Sequence, residues 1–282
     1  MFLQMNLLTR WTNKTLFLKC ISEFIGCMIF HFIGSVSPTP WANGLILIVM
    51  VYFTAKISGA HLNPSVTLTF AILGYTNPIE ILVYWFSQIS GCIIGAYWLL
   101  LLMPPEPRVT GCFTPDPALS NASIFGWEAF CTFSFMLPIF AVVWYTYHKN
   151  GYGNTGPLVV GLSLIGNALA AGPYTGAALN PARVLGSVFV FECPKNKIVY
   201  YILGEICAAL LVPLVIFPFY GLYDKSWYFD LGQKSKAKIW LQAQEAKRRN
   251  PKSIEIKRST DFCENGSSGT PRSNDRSSKE TV

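Results

Sequence analysis

The stretches SGAHLNPSV (58–66) and TGAALNPAR (175–183) carry the same Gly, Ala, Leu, Asn and Pro in register, and this repeat constrains the chain more than any other feature. Each Asn-Pro is a helix-start signal. Asn is a favoured N-cap, and Pro is favoured at the first helical position, where a missing amide hydrogen is harmless. The residues that follow, SVTLTFAIL and ARVLGSVFV, are apolar but about half as long as a membrane crossing requires. Two half-helices are therefore expected, one after Asn63 and one after Asn180, each beginning inside apolar sequence.

Six longer apolar runs flank them, at roughly 17–36, 41–57, 79–103, 124–147, 156–173 and 198–222, separated by segments rich in helix breakers. The first run follows Arg10, Lys14 and Lys19 but contains Glu23 and lacks an evident cleavage site, so it reads as a retained helix rather than a signal peptide. Three spans and one half-helix fall in each half. Glu23 and Glu128 occupy matching places in the first helix of each. An odd number of spans per half inverts the second copy, so one half-helix enters from each side and both start near the midplane. Broken helices in inverted repeats are a transport architecture, because irregular backbone at that depth is tolerated only inside protein or against a wet cavity.

Composition agrees. Hydrophobic residues make up 51% of the 282 and charged residues 13%, where a soluble domain has roughly a quarter charged. An aromatic share of 15% excludes disorder for the apolar block. The net charge of +7 lies mostly after Asp224, the pattern of a juxtamembrane basic tail, so nucleic acid is not expected as a partner. With the N-terminus on the cytoplasmic side, Arg10, Lys14, Lys19, Lys56, Lys149 and the thirteen basic residues of the tail lie inside, against Arg108, Arg183, Lys195 and Lys197 outside. Without the tail the bias is five to four, so both termini are placed in the cytoplasm mainly on the N-terminal cluster. No His, Cys or carboxylate cluster has metal-ligand spacing, and no nucleophile elbow appears; neither an enzyme, a metal nor a cofactor is expected. Most of the eight cysteines lie in apolar runs as small hydrophobes. Cys112 and Cys193 fall in polar loops on one side, and their pairing is left open.

The paired motifs, with Glu23, Glu128, Gln88 and the Gly91/Gly95 pair, resemble the aquaporin (major intrinsic protein) family over about residues 17–222. AAGPYTGAALNPARVLG and YWFSQISGCIIGA are most similar to the intracellular and vacuolar branches that pass ammonia or peroxide. The resemblance implies an all-α membrane protein with six transmembrane helices and two opposed half-helices. Residues 1–16 form a cytoplasmic N-terminus, 17–222 the channel (halves 17–103 and 124–222), and 223–282 a largely disordered basic tail.

It further implies a homotetramer and passive passage of water and small neutral solutes such as glycerol, urea, ammonia or peroxide. The pore residues would be Asn63, Pro64, Ser65, Asn180, Pro181 and Ala182, with amide NH₂ groups free to donate to a passing oxygen. Carbonyls of the residues just before each Asn would supply an acceptor track. A filter would be formed by Asn43, Ala168, Ala177 and Arg183, wide because none is aromatic. Val184 stands where glycerol-specialised members have Asp, which weakens that role. Glu23 and Glu128 would brace the half-helix loops. Two departures stand out, Ser65 in place of Ala and Glu205 in place of the usual Pro after Gly204; the sequence offers no role for Glu205. A gradient-coupled transporter and a non-conducting structural membrane protein are the alternatives.

Overall fold

The computed structural model describes residues 2–36, 39–76, 78–104, 111–146 and 155–220, with side chains described outside 2–14, 143–146 and 220. The tail 223–282 lies outside the described residues. The described part is helical: α1 (Phe2–Val36), α2 (Pro40–Ser58), α3 (Pro64–Ile72), α4 (Pro78–Leu102), α5 (Asn121–Thr146), α6 (Gly156–Thr175), α7 (Pro181–Val190) and α8 (Ile198–Tyr220). Six contain apolar stretches long enough to span a bilayer, from Pro40–Ser58 at 19 residues to Pro78–Leu102 at 25. The half-helices α3 and α7, of nine and ten residues, are too short to cross.

Packing follows the repeat. Within each half the first and last helices pair, α1 with α4 and α5 with α8, while α2 with α6 joins the halves. Each half-helix also lies against the last helix of the opposite half, α3 on α8 and α7 on α4. The α1–α4 crossing is close because Gly91 and Gly95 carry no Cβ; one there would run into the backbone carbonyls of Phe24 and Met28. Phe86, Leu101, Phe130, Leu162, Leu214 and Phe219 remain more than half exposed. An apolar surface of this kind on otherwise well-packed spanning helices suits a membrane-embedded or subunit-facing exterior.

Lys19 on α1 reaches Glu80 on α4 at 2.7 Å. Cys112 and Cys193 form a disulfide, with Cα atoms 5.5 Å apart, which ties the segment before α5 to the residues just after α7. The Asn121 side chain is engaged: its amide donates to the Tyr200 hydroxyl at 3.0 Å and its oxygen accepts from Lys197 at 2.7 Å.

Candidate pore site

The two half-helices start alike. Asn63 and Asn180 have extended backbones, and their side-chain oxygens accept from the Ser65 and Ala182 amides at 2.9 and 3.0 Å, with Pro64 and Pro181 at the first helical position. The chain reaches each asparagine through a loop of repeated left-handed backbone: Gly59, Ala60 and Leu62 in the first half, Gly176, Ala177 and Leu179 in the second. Left-handed φ at Ala and Leu is strained by about 1–3 kcal/mol per residue and persists only where the surroundings enforce it.

The carboxylates enforce it. Glu23 Oε1 accepts from the Ser58 hydroxyl at 2.5 Å and the His61 amide at 3.0 Å, and Oε2 from the Leu62 amide at 2.7 Å and Gln88 Nε2 at 2.8 Å. Glu128 repeats the pattern, accepting from the Thr175 hydroxyl at 2.6 Å and the Ala178 and Leu179 amides at 3.2 and 3.0 Å. Both glutamates are fully buried. The offset that carries Asn63 onto Asn180 also carries Tyr84 onto Tyr201, and these hydroxyls donate to the Ser58 and Thr175 carbonyls at 2.7 and 2.6 Å. Sequence reasoning missed this tyrosine pair, although the offset alone would have found it.

Across the midline the asparagines bond to the opposite loop. Asn63 Nδ2 donates to the Leu179 carbonyl at 2.7 Å, and Asn180 Nδ2 to the Leu62 carbonyl at 2.8 Å. One hydrogen of each amide is thereby used in holding the halves together, and one remains on each for a visitor. The expected fully free amides are thus half committed, and so are the Leu62 and Leu179 carbonyls of the expected acceptor track. Both asparagines line a cavity of about 30 Å³, together with Phe30, His61, Leu62 and Leu179, enough for about two waters. Pro64, Ser65, Pro181 and Ala182 are buried in the first turns behind it.

Arg183 follows Asn180 on α7 and is 2% exposed. Its guanidinium lies 4.7 Å from the centre of the Phe30 ring and 5.1 Å from that of Phe113, so two aromatic faces flank the charge. A Cβ on Gly34 would strike the Asn43 side-chain oxygen and lie 3.3 Å from Arg183 Nη2, which places Asn43 and Arg183 together beside a bare patch of α1. Ala168 and Ala177 are buried; none of the four proposed filter residues lines the cavity around the asparagines. Phe30, Gly34 and Phe113 were not foreseen. Phe30 and Gly34 are one turn apart on α1, a spacing visible in sequence, but nothing there said what the face would meet. Glu205, left without a role, accepts from the Asn180 amide at 2.7 Å.

The major intrinsic protein family model matches residues 10–216. The chain belongs to this family. Among its members, it is 33% identical to aquaporin NIP3-1 of Oryza sativa subsp. japonica over 68% of this chain and 66% of that one. It is 31% identical to aquaporin-8 of Mus musculus and 32% to the lens fiber major intrinsic protein of Homo sapiens, each over 70% of this chain and 80% of the relative. Two NIP4-type aquaporins of Arabidopsis thaliana are matched over only 54–61% of their length, so the chain spans somewhat less than two thirds of these relatives. The NIP-type and aquaporin-8 relatives are consistent with the branch that the sequence resembled. The fold is shared with the aquaglyceroporin of Plasmodium falciparum, at TM-score 0.64 and 23% identity over 73% of this chain and 99% of that one.

Proposed function

We propose that this major intrinsic protein is a passive channel for water and small neutral solutes that excludes ions and protons. The observation that supports this most is the pair of opposed half-helices, each capped by an asparagine that keeps one amide hydrogen at the cavity. Each half-helix N-terminus carries about half a positive charge from unpaired amides, so two of them together repel cations. A water whose oxygen accepts from Asn63 and Asn180 points its own hydrogens away. The relay that a proton needs is then interrupted, the device described for aquaporin-type pores.

In the same reading, Asn43, Ala168, Ala177 and Arg183 form the selectivity filter. Arg183 provides fixed charge and donors, Asn43 both donates and accepts, and the two alanines leave room for solutes wider than water. Phe30 and Phe113 set the position of the guanidinium rather than the width at those four residues. Both termini face the cytoplasm by the distribution of basic residues, and four copies assemble with one pore each.

Stopped-flow swelling of vesicles containing the pure protein, with water, glycerol, urea, ammonia and peroxide, tests the reading. Flux that is linear in solute concentration and independent of a proton or sodium gradient is expected. Saturable, gradient-driven flux would identify a coupled transporter, and no flux at all a structural protein.

A further inference from the structure

The repeat offset carries Gln88 onto Glu205. In the first half Gln88 Nε2 donates to Glu23 Oε2 at 2.8 Å and to the Thr67 hydroxyl at 3.0 Å. In the second half a carboxyl stands at that place. Its Oε1 accepts from the Asn180 amide, but Oε2, on a fully buried residue, has no hydrogen-bond partner in the protein. Gln88 Oε1 on α4 shares that condition, and so do Ser65 Oγ and Thr132 Oγ1, which with Glu205 make three such oxygens on α3, α5 and α8, the first two helices both packed against the third.

Contacts above and below put these three oxygens in one layer. On the asparagine side, Glu128 holds the Leu179 amide, Glu205 holds the Asn180 amide, and Asn180 Nδ2 reaches the Leu62 carbonyl. One turn further, Thr69 Oγ1 on α3 donates to the Ala209 carbonyl on α8 at 3.0 Å and lies 3.9 Å from Met136 Sδ on α5. Ser65, Glu205 and Thr132 each precede Thr69, Ala209 and Met136 by four residues. The three helices therefore run the same way, and the three oxygens lie about 6 Å from the Thr69 contacts. An unpaired buried oxygen is destabilising by about 1–3 kcal/mol, and three at one level, from three helices, mark a place for a shared partner.

We propose that Ser65 Oγ, Thr132 Oγ1 and Glu205 Oε2 form a buried binding site for one water molecule between α3, α5 and α8, behind the pore wall. Three polar partners suit a structural water, which usually has two to four. The water donates to the Glu205 carboxylate and to one hydroxyl and accepts from the other hydroxyl. It fixes Glu205, which fixes the Asn180 amide, so Ser65 and Glu205, the two departures in the sequence, act as one unit. The site does not depend on what the pore conducts.

A crystal structure of the full chain at a resolution that orders water tests this directly. One peak within about 2.6–3.2 Å of all three oxygens is expected. A dry gap, or a direct Ser65–Glu205 bond, overturns the proposal, as does an anomalous peak at this position after a thallium soak, which would make the occupant a monovalent cation. A double-mutant cycle gives a second measurement. Ser65→Ala and Thr132→Val should each lower the unfolding midpoint of the detergent-solubilised channel, and together by less than the sum of the two, because either one already disables the shared water. Strictly additive shifts would mean that the two hydroxyls share nothing.

Discussion

Asn180 has three duties at once: its oxygen caps α7, one amide hydrogen crosses to the Leu62 carbonyl, and its backbone amide is held by Glu205. Asn180→Asp keeps the cap but places a negative charge between the two positive helix ends and sets an oxygen against the Leu62 carbonyl. Measurable cation current in planar bilayers is expected, with a lower yield of folded channel; a variant as tight to cations as the unmodified protein would separate the helix ends from ion exclusion. At the proposed filter, Ala168→His adds a ring where a methyl group now stands. Glycerol and urea flux should fall several-fold while water flux largely survives, measured by stopped-flow. Unchanged solute flux would show that Ala168 does not border the narrowest passage. The asparagine caps were legible because N-capping is a local, short-range preference. The ring pair on Arg183 was not, since Phe30 and Phe113 meet it only through the packing of α1 and the loop before α5 against α7.

Half-helices α3 and α7 were legible as elements for a different reason: the repeat offered two independent readings of one signal, and a mostly apolar run of half-length has few other uses. Their support was less visible. Glu205 gained a role only once α8 lay against the second loop, and the left-handed residues Ala60, Leu62, Ala177 and Leu179 contradict local preference because buried carboxylates hold the flanking amides. The Cys112–Cys193 bridge adds an element-scale constraint close to Arg183. Phe113 follows Cys112, and Gly111 before it accepts from the Ser187 hydroxyl of α7 at 2.7 Å. A native bridge typically contributes about 2–4 kcal/mol. Cys112→Ser should lower the thermal midpoint, and treatment of the unmodified channel with a reductant should reproduce the shift. If reductant leaves the midpoint of the unmodified protein unchanged, the bridge does not stabilise the loop before α5.

At the scale of the whole molecule, two inverted halves meet through reciprocal asparagine bonds, and six apolar spans long enough to cross a membrane surround them. Span count and inversion followed from hydropathy and from the odd number of helices per repeat. Solute range did not, because it depends on side chains such as Asn43 and Arg183, which meet only once α2 and α7 pack at the bare patch of α1. What the arrangement must do, if it is a channel of the proposed kind, is pass water quickly and protons hardly at all. The most direct measurement compares the two fluxes in one vesicle preparation, with water followed by light scattering and protons by an enclosed pH dye. Water permeability well above that of protein-free vesicles, with a low activation energy and a proton leak no greater than theirs, is expected. Proton flux rising in step with water flux would contradict the opposed positive helix ends as the basis of exclusion.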